Sequence, residues 1–147
     1  MRKQIRLVLP LLAAALLAHS VSAASPEAEQ TFLDAYKAAY EAEDPDAFAA
    51  LMQIDGAIEE AIEFYLLNLT AELGGEISLH FIDLTDEQLA EVRGELPGLD
   101  GQPYKLMPPP YRLLSIDIVL PSGANGGAEV FVGDLGDRIT ISTPARP

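Results

Sequence analysis

Asp83 is the one carboxylate that falls in phase with an apolar strand face. In EISLHFIDL, Glu76 to Leu84, the residues Ile77, Leu79 and Phe81 alternate with Ser78 and His80, and Asp83 continues the apolar register. A carboxylate carried into an apolar interior is pushed toward neutral pH, where it can act as a general base. A strand end is also an ordinary wet position, and carboxylates are rarely buried unpaired. His80 is the only histidine after residue 23 and lies on the opposite face. It reads as an exposed or interface histidine, with a general-base role as the other reading. One histidine without a spaced partner does not make a metal site. The chain has no Cys, which excludes cysteine ligands and cysteine nucleophiles.

Other polar stretches have structural readings. The acidic run Glu41, Glu43, Asp44 and Asp46 lacks the alternating Asp and distal Glu of a calcium loop. GANGG, Gly123 to Gly127, follows a strand pattern and precedes another. It therefore offers no helix N-terminus to a phosphate and reads as a hairpin turn. Asn68-Leu69-Thr70 has the pattern of a glycosylation acceptor but sits mid-helix. No G-x-S-x-G nucleophile motif is present.

These residues must be positioned by helices first and strands second. Phe32, Tyr36 and Tyr40 recur every four residues and predict an amphipathic helix ending near Glu43. Pro45 disfavours helical geometry at Asp44, which then suits the N-cap of a short second helix with Phe48, Leu51 and Met52 on its inner face. A third helix is predicted from about Gly56 to Leu73, ended by Gly74 and Gly75. After the 76–84 strand, Thr85 and Gln88 form a capping box opening a helix at TDEQLAEVRGEL. Residues 96–110, with three consecutive prolines, read as an extended, non-pairing connector. YRLLSIDIVL, AEVFVGDL and RITISTP are predicted strands, with PSGANGG and Leu135 to Asp137 as turns. The alternation points Ile77, Leu79, Phe81, Leu114, Ile116, Ile118, Leu120, Ile139 and Ile141 inward. It leaves Ser78, His80, Ser115, Asp117, Arg138, Thr140 and Ser142 outward. The sum is an α+β domain, with N-terminal helices packed on one face of a curved, mainly antiparallel sheet.

Residues 1–23 have another purpose. Arg2, Lys3 and Arg6 precede an apolar run from Leu7 to Ala18, and the small residues of VSA follow at 21–23. This is the pattern of a secretory signal peptide. The run is shorter than the roughly 20 residues a span needs, although an uncleaved anchor is the other reading. The expected domains are thus a signal peptide at 1–23 and a single domain at 24–147. No cysteine stands at the cleavage site for a lipid anchor, so the expected location is periplasmic or secreted, without stable membrane insertion after signal removal. All 23 Asp and Glu, but only six of the nine Lys and Arg, follow residue 23, which leaves a formal charge of −17 on residues 24–147. Such a surface repels nucleic acid and anionic lipid.

FLDAYKAAYEAEDPDAFAALM, Phe32 to Met52, resembles the N-terminal helix pair of the nuclear transport factor 2-like superfamily. The resemblance implies a third helix and a bent antiparallel sheet, together forming a cone over about Pro26 to Pro144. It departs at 85–110, where many relatives have a strand or hairpin. In that fold the first helix covers the cone opening, which makes Tyr36 and Tyr40, with Phe81, the candidate ligand-binding residues. The same stripe also reads as core packing. The superfamily includes binding domains and enzymes, so fold alone does not choose between them.

The expected function is an exported, non-catalytic domain that binds a small apolar ligand or a protein. It needs no cofactor or metal, and a homodimer could form through the outer sheet face. The alternative is an isomerase, cyclase or hydrolase of the ketosteroid isomerase kind. Asp83 would then be the base, and Tyr36 or Tyr40 the donor to the developing oxyanion.

Overall fold

Ser25 starts the first helix: its hydroxyl accepts a hydrogen bond from the Ala28 N–H at 3.1 Å, and Pro26 occupies the first helical position. The computed structural model describes residues 24–147, so the expected signal peptide at 1–23 lies outside the described residues. Helix α1, Pro26–Ala42, buries Phe32, Tyr36, Ala39 and Tyr40. Glu43 closes it in the left-handed region with φ of 51°. Asp44 then takes an extended conformation, and its Oδ1 accepts from the Asp46 N–H at 3.0 Å to cap α2, Pro45–Ala49. Asp44→Ala should therefore lower stability by about 1 kcal/mol, and Asp46→Asn by less, as read from urea midpoints.

Helix α3 spans Glu59–Leu69, shorter at both ends than the 56–73 periodicity predicts. The segment before it, which includes the lost residues Ala57 and Ile58, pairs elsewhere. Ile141 N–H donates to Leu51 O, Gln53 N–H to Ile141 O, and Ile58 N–H to Pro144 O, at 2.8–3.2 Å. The 51–58 backbone thus serves the C-terminal strands, and a helix there would forfeit those bonds. At the other end, the Thr70 hydroxyl turns back onto Leu66 O at 2.7 Å.

Strand β1, Glu76–Asp83, is followed by helix α4, Asp86–Val92, with the predicted Thr85–Gln88 capping box in place. Next come β2, Leu96–Pro97; β3, Pro103–Met107; β4, Pro110–Val119; β5, Asn125–Asp134; β6, Ile139–Ile141; and β7, Thr143–Ala145. They form two sheets, one in the order β1-β4-β5-β6 and the other β2-β3-β7, with antiparallel pairing throughout. The fold is α+β, with helices packed on an antiparallel sheet.

Three expectations need correction. Residues 96–110 do pair: β2 runs beside β3 and β3 beside β7, Pro110 opens β4, and only the 98–102 turn and Pro108–Pro109 stay outside the ladders. RITISTP is two strands, because the chain turns at Ser142 from one sheet into the other. There Ser142 N–H donates to Phe131 O at 2.9 Å, and its hydroxyl donates to Pro108 O at 2.7 Å. Ser115, Thr140 and Ser142, expected on a wet outer face, are buried. Thr140 and Ser142 are covered by the 51–53 segment and the proline tract, whose carbonyls at Leu51 and Pro108 accept from their hydroxyls.

Candidate binding surface

Register places Asp83 of β1 directly opposite Arg112 of β4. The Arg112 guanidinium donates to Asp83 Oδ1 through Nε at 2.8 Å, and through Nη1 to both Glu29 oxygens at 3.0 and 2.9 Å. Its carbon lies 5.4 Å from the centroid of the Phe81 ring. The Tyr111 hydroxyl donates to Glu29 Oε1 at 3.2 Å. Partial burial works against the charge of Arg112, but bonds and charges from Asp83 and Glu29 outweigh it and hold its pKa above the ordinary value. One cation thus joins the first turn of α1 to β1 and β4.

This cluster bears on Asp83 as a base. The Asp83 carboxyl is 84% exposed and tied to Arg112, so it stands in water at the strand end and does not enter an apolar cavity. Neither tyrosine named as its partner meets it. Tyr40 donates to Glu72 O at 2.8 Å and accepts from Gly75 N–H at 3.0 Å, next to the opposite end of β1. Seven residues of strand put that end about 23 Å from Asp83. Tyr36 is buried between Phe32 and Phe48, with ring centroids 6.5 and 5.4 Å away. Phe81 is half-buried under Arg112, 6.3 Å from Phe32. Tyr36 and Tyr40 therefore stand in the packed interior rather than at a mouth.

The sequence reading missed Arg112 and Glu29. A signal for Arg112 was present, since it continues the inward phase of Leu114, Ile116 and Ile118. Glu29 gave no such signal, because an acidic residue in the first turn of a helix already suits the helix dipole.

His80 is exposed on the outer face, its Nδ1 3.5 Å from Asp117 Oδ2. Around the acidic corner Asp44 is a cap, and Lys37 approaches Glu41 at 3.8 Å. Among the described residues no group of three or more His, Cys, Asp or Glu is placed to hold a metal ion. The hairpin turn is shorter than GANGG, because Asn125 to Gly127 already belong to β5. Gly127, at φ of 145°, lies so close to β4 that a Cβ there would come within 2.1 Å of Ile116 O.

Grooves on the surface of the described residues lie elsewhere, two of them beside the helices. The first, about 210 Å³, lies between α1 and the β5–β6 turn, against Thr31, Ala35, Asp137 and Arg138. The second, about 340 Å³, has Phe64, Tyr65, Asn68 and Leu69 of α3 on one wall and Ala128 to Phe131 of β5 on the other. Neither is lined by Tyr36, Tyr40 or Phe81. Phe64, on the wall of the second groove, is 63% exposed, and Leu67, one turn further along α3 but outside the groove lining, is 69% exposed. Large apolar side chains grouped at a groove mark an interaction surface.

The phenols give a pH dependence. Burial, with Tyr40 nearby, raises the Tyr36 pKa well above 10. Tyr65 is raised to about 12 by burial and by Tyr104, and Tyr111 is raised by burial and Glu29. All three hold their protons beyond the pH at which the unfolded chain releases them. Their stabilising effect is therefore full below about pH 10 and is lost as pH rises toward the folded values. Urea midpoints should stay level to about pH 9.5 and then fall, as the unfolding free energy drops by up to about 1.4 kcal/mol per pH unit for Tyr36 alone. An unchanged midpoint at about pH 11 would contradict this.

Compared with known protein families, curated proteins and solved structures, the chain matches none of them. Among the described residues no helix is long and apolar enough to cross a membrane.

Proposed function

We propose that this chain is an exported, non-catalytic domain that binds another protein through the α3 side of its fold. The carrying observation is the exposed α3 pair Phe64 and Leu67, of which Phe64 lines the groove between α3 and β5. The aromatic stripe that would have served a small ligand is occupied with packing: Tyr36 and Phe48 fill the space under the sheet. That favours a protein partner over an enclosed small molecule. Export is supported by the pattern of residues 1–23. Membership of the nuclear transport factor 2-like superfamily is supported by the helix pair 32–52 with its capped acidic corner, followed by a third helix and antiparallel strands.

The test pairs two measurements on protein purified from its own host. Native mass spectrometry should give the bare chain mass. A photo-crosslinking residue at position 67 should give one discrete protein adduct that disappears with Phe64→Ala, whereas the same residue at position 34 gives none. A stoichiometric small-molecule adduct, or equal crosslinking from both positions, would overturn the reading.

A further inference from the structure

β5 is paired on both edges only near its end. β4 accompanies it from Asn125 to Gly133, but β6 covers only Val132–Asp134. Among the described residues, no strand lies beyond the second edge of Asn125–Phe131. Which backbone groups face that edge follows from two bonds. Phe131 O accepts from Ser142 N–H, so the polar groups of Phe131 point away from β4. Gly127 N–H, four residues earlier, points the same way and donates to Glu72 Oε2 at 2.9 Å. Strand alternation then puts the N–H and C=O of Glu129 on this edge as well, between the two occupied positions. Glu129 lines the groove opposite α3.

The two walls also have a chemistry. Ala128 and Val130 are in register with the inner-face residues Ile116 and Leu114, and they meet Tyr65 and Leu69 across the groove. Glu129 is in register with Ser115 on the other face. No Lys or Arg occurs in residues 59–76 or 125–134, whereas Glu59, Glu60, Glu63, Glu72 and Glu129 do. An incoming strand would thus find open backbone groups, apolar side chains toward α3 and negative charge toward the outside.

We propose that the Ala128–Phe131 edge of β5 is a strand-addition site for an extended, basic segment of another protein, in which apolar residues alternate with Lys or Arg. The proposal rests on the protein-binding reading above and names its partner class and mode. Main-chain bonds at Glu129 would supply affinity. The apolar groove and the acidic rim would supply selectivity. A second copy of the chain fits less well, because it would set Glu129 and the α3 glutamates against like charges. β1 is also a sheet edge, but neither groove touches it.

The probe is a fluorescein-labelled hexapeptide of alternating valine and lysine, followed by fluorescence anisotropy. Its binding should be saturable, weaken with added salt, and be lost in the valine–glutamate peptide. N-methylation of the peptide backbone should weaken binding about tenfold or more, as should Glu129→Pro. That proline removes only an N–H facing away from β4, so the ladder keeps its bonds. Glu129→Lys should shift preference toward the glutamate peptide.

Absence of saturable binding up to about 1 mM overturns the proposal. So does undiminished binding of the N-methylated peptide, which would indicate charge attraction alone. A dimer seen by light scattering and abolished by Glu129→Pro also overturns it, since a second copy would then hold the edge. The two readings fail separately: a small-molecule adduct removes the protein-binding reading, whereas the peptide results bear on the edge alone.

Discussion

Phe48→Ala should lower the unfolding free energy by about 3–5 kcal/mol, the largest single-residue loss expected in this chain. Phe48 is fully buried and meets Tyr36 edge-on, its ring plane 78° from that of Tyr36 at 5.4 Å. It is also the only buried side chain of α2, a five-residue helix that cannot hold its shape without packing. Truncation therefore removes transfer energy, leaves a cavity beneath α1, and frees the segment that joins α2 to β6. A urea denaturation series would show the midpoint falling with little change in slope. Phe48→Leu should restore more than half of the loss, because it refills most of the volume. A loss below about 1 kcal/mol for Phe48→Ala would mean that the aromatic cluster is not the centre of the core.

Arg112→Met should cost about 2–3 kcal/mol. The Arg112 and Glu29 side chains are 25% and 21% exposed, so the pair is mostly, though not fully, withdrawn from water. Removing the cation leaves the Glu29 carboxylate facing Tyr111 and the apolar end of β4 without its partner. Most of the loss comes from that stranded charge rather than from the pair itself. The double variant Arg112→Met with Glu29→Gln should consequently be more stable than Arg112→Met alone. Asp83→Asn should cost under about 1 kcal/mol, since that carboxylate is exposed. Additive losses in the double variant would show that the two residues do not act as a pair.

Local rules carried the sequence reading where the determining interactions are local. The Asp44 cap, the Pro45 start of α2 and the Thr85–Gln88 capping box each involve residues two or three apart, and each is present as read. The inward half of the β1 and β4 alternation also held, with Leu114, Ile116 and Ile118 buried and Ile77, Leu79 and Phe81 half-buried, although Ser115, between Leu114 and Ile116, is buried too. The reading failed where a partner distant in sequence decides. Residues 103–107 became a strand because Thr143–Ala145 lies beside them, and the proline tract had argued against pairing. Thr140 and Ser142 are buried because carbonyls at Leu51 and Pro108 reach them. At the candidate surface, the exposure of Phe64 and Leu67 was hidden in a helix whose apolar residues exceed one face. The open edge of β5 depends on where β6 stops, which Ser142 sets and periodicity does not reveal.

The bonds between 51–58 and 141–144 also order events in time. The segment after α2 takes its partners from residues about ninety positions later. During synthesis or passage through a pore, α1 and α2 emerge early and can form turns, but the strands that α2 and its following segment rest on arrive last. Closing so long a loop carries an entropic cost that precedes its reward. The stretch from α1 to residue 58 therefore remains open until the final strands are free. A chain arrested before Ile139 should remain protease-sensitive between residues 24 and 58.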